Sequence, residues 1–109
     1  MDGDMSKKRL IGGLFVRDGI VVQSRHFDTY QPVGHPEIAV RFLDDWGVDE
    51  IMMLDITARR EGRTIDIDLV ASCAAACHVP LCVGGGIATV GHVRDLVRAG
   101  ADKIAINGL

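Results

Sequence analysis

Three consecutive glycines, Gly84-Gly85-Gly86, stand between the apolar stretch "VPLCV" and Thr89, a residue suited to capping a helix. Glycines in that place let backbone N–H groups approach an anion at a helix start, so phosphate binding is physically reasonable. A tight βα turn is the other reading, and no full phosphate-loop or dinucleotide motif surrounds the triplet to decide between them. Asp55, after "EIMML", and Asn107, after "KIAI", occupy the same relative place at the ends of apolar runs. At the opposite ends lie Arg9, Glu50 and Lys103, each immediately before an apolar run. Charges that converge there must pair or hydrogen-bond, so a stabilising salt-bridge ring is the plain reading of this second set.

Other candidates are weaker. Arg59, Arg60 and Arg63 surround Gly62 after the "EIMMLD" run; they form a solvated basic loop or one that greets a phosphate or carboxylate. His26, His35, His78 and His92 fall in loop or helix-surface contexts and read as solvated. Cys73, Cys77 and Cys82 lie with His78 in "CAAACHVPLC". That segment lacks two closely spaced thiols forming a knuckle, so reduced, buried structural thiols are expected and no metal is assigned.

These residues need elements to hold them. "RLIGGLFV" reads as a strand, and "VRDGIVVQ" as a small hairpin turning at Asp18-Gly19. Pro36 opens a helix whose stripe of Ile38, Ala39, Phe42, Leu43 and Trp46 opposes Glu37, Arg41, Asp44 and Asp45, and Gly47 closes it. "EIMMLDI" is a continuous apolar run, the pattern of a strand covered on both faces. The chain again reads helical from Thr64 to Cys77, and "VPLCVGGG" is strand-like up to its glycines. Thr89 then caps a helix with Val90, Val93 and Val97 inward and Gly100 at its end, and "KIAIN" begins a fourth strand. The order is βαβαβαβ, which right-handed crossovers turn into a parallel sheet with helices outside it.

Composition agrees with such a domain. The 109 residues are 48% hydrophobic and 25% charged, with net charge −3. No basic field favours nucleic acid or an anionic membrane, and "SKKR" is too short to supply one. No signal-peptide core and no apolar run of the ~20 residues that span a bilayer is present, so a cytoplasmic protein is expected. Residues 1–8 read as a polar leader and residues 9–109 as a single unit.

The segments "GVDEIMMLD" and "GADKIAIN" repeat one plan: a helix stop, a charged pair, a buried strand, then a polar residue. Equivalent units recurring around an axis suggest a (β/α)8 TIM barrel, which typically takes about 250 residues, so the expected fold class is α/β, the N-terminal half of such a barrel. Its strand C-terminal ends, with Asp55, the glycines and Asn107, form the face where barrel enzymes place their sites.

"LFVRDGIVV", "DEIMMLDITA", "CVGGGI" and "GADKIAIN" together resemble the N-terminal half of the cyclase subunits of imidazole glycerol phosphate synthase, a histidine-biosynthesis family. The resemblance implies an ammonia-using enzyme without a cofactor, fed by a glutaminase subunit docked at the barrel bottom. It makes Arg9, Glu50 and Lys103 positions of a charged ammonia gate. It makes Gly85, Gly86 and Asn107 part of a site for a phosphorylated small-molecule substrate, and Asp55 an acidic position of the same face. In the family, ammonia attacks a phosphoribosyl-linked aminoimidazole carboxamide, giving imidazole glycerol phosphate and the carboxamide ribotide.

Two departures bear on chemistry. Phe15 stands where the family has its strand-one acid-base aspartate, and the second aspartate belongs to a strand beyond Leu109, so the catalytic residues are unassigned. Gln23 replaces a lysine of the loop after strand one. A related glutaminase-fed branch, associated with amidation of nucleotide-linked acetamido sugars for surface polysaccharide, is similar at the apolar strand-one position and at "TYQPVGHP". The chain alone is expected not to cyclise the imidazole precursor. A non-catalytic half-barrel that pairs with another copy of itself is the third expectation.

Overall fold

Asp18 and Gly19 both take positive φ, 53° and 77°, as a two-residue primed hairpin turn requires. In the computed structural model, which describes residues 9–25 and 29–106, this turn folds β1 (Ile11–Arg17) back on β2 (Ile20–Arg25). The leader, His26 and Asn107 lie outside the described residues. β2 runs on into β3 (Thr29–Gly34), an antiparallel strand absent from the sequence expectation. Pro32 argues against a central strand there, and β3 lies at the sheet edge, where a missing N–H is tolerated.

Beyond the ribbon the chain alternates α1 (Pro36–Trp46), β4 (Glu50–Asp55), α2 (Ile67–Ala75), β5 (Leu81–Gly84), α3 (Val90–Ala99) and β6 (Lys103–Ala105). The six strands form one sheet in the order β3-β2-β1-β4-β5-β6, and β1, β4, β5 and β6 pair in parallel. The expected α/β half-barrel core is therefore present, with the hairpin ribbon added on its first edge.

Helix boundaries depart from expectation where caps decide them. α2 starts at Ile67 rather than Thr64 because the Asp66 carboxylate accepts from Asp68 N at 2.9 Å, making Asp66 the N-cap. It ends at Ala75, so Cys77 lies past it. α3 starts after Thr89 as anticipated, its hydroxyl accepting from His92 N at 3.1 Å.

The buried faces are also rotated relative to the expected stripes. α1 packs on β1, β2, β4 and α2 and buries Pro36 and Val40, while Ile38, Phe42 and Trp46 stay 64%, 60% and 71% exposed. Its apolar arc is wider than the surface the sheet and α2 cover, so this i, i+4 row is left in solvent. In α3 the buried residue is Leu96, Val93 is half-buried, and Val90 and Val97 are exposed, not inward. Between helices and sheet lies a core that includes Val16, Val40, Ile51, Met53, Ile65, Val70, Cys73, Leu81, Val83 and Leu96.

The sequence repeat has a physical cause. Gly47 and Gly100 both end helices at positive φ, 90° and 121°. Val48 N donates to Leu43 O and Ala101 N to Leu96 O, each closing a six-residue helix-end loop around a buried apolar residue. The aspartate that follows is then a clamp. Asp49 N donates to Leu10 O and the Asp49 carboxylate accepts from Leu10 N; Asp102 does the same with Leu81. Each clamp fixes where the next strand begins beside its parallel neighbour. Glu50 and Lys103 each follow one of these clamps; by register Lys103 lies beside Cys82 and Met52, two residues along the sheet from Glu50.

Register sorts the strand residues by face. A Cβ on Gly12 would meet the Leu43 side chain of α1 at 2.8 Å, so Gly12 and its partners Ile51 and Leu81 face the helices. Glu50, Met52, Leu54, Cys82 and Phe15 alternate with them on the other face, the one a closed barrel would enclose. Phe15 lies beside Leu54 near the C-terminal end of that face and is 46% exposed.

Candidate functional site

The N-terminal strand ends bring the three expected charges together. One oxygen of Glu50, Oε1, accepts from Arg9 Nη2 and from Lys103 Nζ, both at 2.9 Å. The Glu50 side chain is buried, whereas Arg9 and Lys103 are more than half exposed. The Lys103 hydrogen bond, opposed by burial and helped by the charges of Lys103 and Arg9, holds the Glu50 carboxyl below its usual range. A buried carboxylate under two exposed cations makes this end of the sheet face polar.

The C-terminal ends carry a cleft of about 760 Å³ whose walls include Asp55, Arg59, Arg63, Gly85, Gly86 and His92. Gly85 and Gly86 are forced by close approach. A Cβ on Gly86, at φ 65°, would lie 1.8 Å from the Arg63 carbonyl oxygen, and one on Gly85 would lie 2.8 Å from Asp55. Ile65 N donates to Gly85 O at 2.9 Å. The triplet is thus the place where the loop after β4 presses on the loop after β5, and backbone lines the cleft floor because no side chain fits.

Asp55 organises that loop. Its Oδ1 accepts from Thr57 N and Ala58 N, both at 3.0 Å, and from Thr57 Oγ1 at 3.3 Å; its Oδ2 accepts from Arg63 Nη1 at 2.7 Å. Arg63 also reaches Glu61, Thr57 Oγ1 and Thr64 O. Hydrogen bonds to Asp55 and then Glu61 raise the Arg63 pKa further above its usual value. Sequence reading placed Asp55 and Arg63 on one face but missed that they are partners, which the carboxylate and the cation eight residues apart across a Gly62 turn did signal.

Two histidines also differ from expectation. His92 is half-buried, and its Nδ1 accepts from Ala88 N at 3.1 Å. His78 is exposed yet pairs with Asp44: ring Nδ1 lies 2.8 Å from Oδ2, and its backbone N donates to Oδ1. The cysteines are free thiols; Cys73 and Cys82 are buried and Cys77 is half-buried. Burial raises all three pKa values, that of Cys73 to about 12. Asn107, the remaining phosphate candidate, lies outside the described residues.

This arrangement has relatives. Residues 9–109 match the family model described as "Histidine biosynthesis protein". The chain belongs to that histidine biosynthesis family. It is 47% identical over 103 residues to imidazole glycerol phosphate synthase subunit HisF from Bacillus cereus, covering 94% of this chain and 41% of that one. A Vibrio vulnificus protein provisionally named as an imidazole glycerol phosphate synthase subunit is 48% identical over 103 residues, 94% of this chain and 38% of its own. This member of the family therefore spans about two fifths of the length of these relatives. Both names denote a subunit of a larger enzyme. Among the described residues no helix is long and apolar enough to cross a membrane.

Proposed function

We propose that this chain forms the N-terminal half of an ammonia-using barrel of the imidazole glycerol phosphate synthase cyclase type, working in the cytoplasm with a glutaminase subunit. The observation that carries the reading is the joint placement of Arg9, Lys103 and buried Glu50 at the N-terminal strand ends and of the glycine cleft at the opposite ends. Ammonia released by a glutaminase against the lower end would pass Glu50 and its two cations, travel along the face of Met52, Leu54 and Phe15, and meet the substrate above. Backbone at Gly85 and Gly86, together with Asn107, holds a phosphate of that substrate. Asp55 serves by fixing the loop, since its oxygens are already taken by Thr57, Ala58 and Arg63.

Phe15 separates two substrates for this ammonia. A phenyl ring cannot exchange a proton, so position 15 supplies no acid-base group. That favours an amidation, such as that of a nucleotide-linked acetamido sugar, over imidazole cyclisation. The exposed face of Ile11 and Phe15 and the bare flank of α1 favour completion of the barrel by further strands and helices, from a complementary half or a second copy.

The test is a coupled assay. The chain is mixed with the glutaminase subunit, and glutaminase stimulation is compared for wild type and Glu50→Gln. Stimulation by the wild type that the variant loses supports the gate; equal stimulation removes it. Ammonia-dependent cyclisation of the aminoimidazole carboxamide precursor by the purified 109-residue chain would overturn the role given to Phe15. Sedimentation of the same sample separates self-pairing, a dimer, from a half that awaits a different complement.

A further inference from the structure

We propose that His92 is a phosphate-recognition residue of the glycine cleft, donating its Nε2 proton to the monoester anion held there; the inference rests on the phosphate reading of that cleft. The starting point is what the first turn of α3 has already used. Ala88 N donates to His92 Nδ1 at 3.1 Å, His92 N donates to Thr89 Oγ1 at 3.1 Å, and Val93 N donates to Thr89 O. An anion arriving at this helix start finds the Ala88 and His92 amides committed to the cap. A helix N-terminus that binds phosphate ordinarily offers such amides directly.

The imidazole returns one of those donors to the cleft. With Nδ1 accepting, the neutral ring carries its proton on Nε2, on the far edge of the ring from Ala88. The ring is half-buried and lines the cleft beside Gly85 and Gly86. Its orientation and tautomer are both set by the Ala88 bond, and a donor whose other nitrogen already accepts is polarised in the favourable direction.

The other side chains leave this role open. Three side chains lining the cleft carry donors: Arg59, Arg63 and His92. The Arg63 guanidinium is engaged by Asp55, Glu61, Thr57 and Thr64 O. That network occupies the guanidinium, so recognition of the anion falls to Arg59, His92 and the glycine backbone. His92 is the one held in place by the same turn that the glycines lead into.

Two substitutions separate recognition from capping. His92→Gln keeps an acceptor for Ala88 N and an N–H donor, while His92→Glu keeps the acceptor, as in a capping box, but presents a negative charge without a donor. The 15N-labelled chain is titrated with inorganic phosphate at neutral pH, and imidazole and amide resonances are followed. Expected are the Nε2-protonated tautomer in the free chain, and phosphate shifts at His92 Nε2 together with Gly85 and Gly86. His92→Gln should bind within about threefold of wild type and His92→Glu about tenfold or more weakly, with its urea midpoint unchanged. Phosphate shifts at Gly85 and Gly86 with undiminished binding by His92→Glu would overturn the role of His92 and leave the cleft reading standing. Absence of any shift at the glycines in wild type would sink the cleft reading, and His92 with it.

Discussion

Arg63 holds Asp55 at 2.7 Å from the far end of the loop between β4 and α2, and both oxygens of the carboxylate are occupied within that loop. The pair has two consequences. It places the Arg63 carbonyl against Gly86, and it makes an acidic residue at the C-terminal strand ends a support for the glycines that line the cleft.

Removing the acceptor should therefore cost stability. Asp55→Ala leaves the Thr57 and Ala58 amides and the Arg63 guanidinium without their shared partner, a loss of about 3 kcal/mol. Arg63→Lys keeps a cation but not the fork that spans Asp55 and Thr57, and should lose about 1 kcal/mol. Urea midpoints at unchanged m-value measure both. A midpoint for Asp55→Ala equal to wild type would show that the network contributes nothing.

Gly86→Ala should be more damaging than Gly13→Ala. The new methyl at Gly86 would overlap the Arg63 carbonyl at positive φ, whereas a Cβ at Gly13 meets nothing within 4 Å. A left-handed alanine costs about 1–2 kcal/mol, and a forced shift of the loop adds a further ~1–3 kcal/mol. Denaturation of the two variants side by side gives the comparison; equal midpoints would contradict the close approach.

Thiol chemistry offers a test of the core. Cys73 is fully buried with its thiol pushed up to about 12, so almost none of it is thiolate near neutral pH. A disulfide reagent applied to the native chain should modify half-buried Cys77 first and Cys73 only on the timescale of unfolding. Rapid native labelling of Cys73, identified by peptide mass, would show that α2 does not cover it.

Much of this was legible from the sequence, and the failures are instructive. Continuous apolar runs marked β4 and β5, Asp18-Gly19 marked the hairpin, and Thr89, Gly47 and Gly100 marked helix ends, because caps and turns are local chemistry. The convergence of Arg9, Glu50 and Lys103 was legible because all three precede parallel strands. The bound state of Asp55 was missed although the Gly62 turn between it and Arg63, eight residues on, hinted at it, since a polar residue at a strand end by itself looks the same whether it faces a cleft or its own loop. Nor were the buried faces of α1 and α3: Ile38, Phe42 and Trp46 satisfy helical periodicity, but periodicity gives the width of an apolar arc and not which part of it a neighbour covers. Asp49 and Asp102 read only as members of the repeat's charged pairs, whereas they clamp the backbone of Leu10 and Leu81.

The contact between Asp44 and His78 ties the end of α1 to the loop before β5, and its pH dependence has a definite sign. The Asp44 hydrogen bond raises the His78 pKa above its ordinary 6.5. That contribution is complete below 6.5 and fades as pH rises through the higher folded value. The same hydrogen bond lowers Asp44 below its ordinary 3.8, so its share is present above 3.8 and is lost as pH falls through the lower folded value. Stabilisation is therefore fullest between 3.8 and 6.5. His78→Gln retains the backbone N–H that donates to Asp44 but loses the titrating ring. Wild type should exceed the variant in urea midpoint within that window, and the gap should narrow on the alkaline side. Because the ring is exposed, salt should shrink the gap as well. A difference that is the same within the window and well above it would show that the ring carries no charge-dependent bond to Asp44.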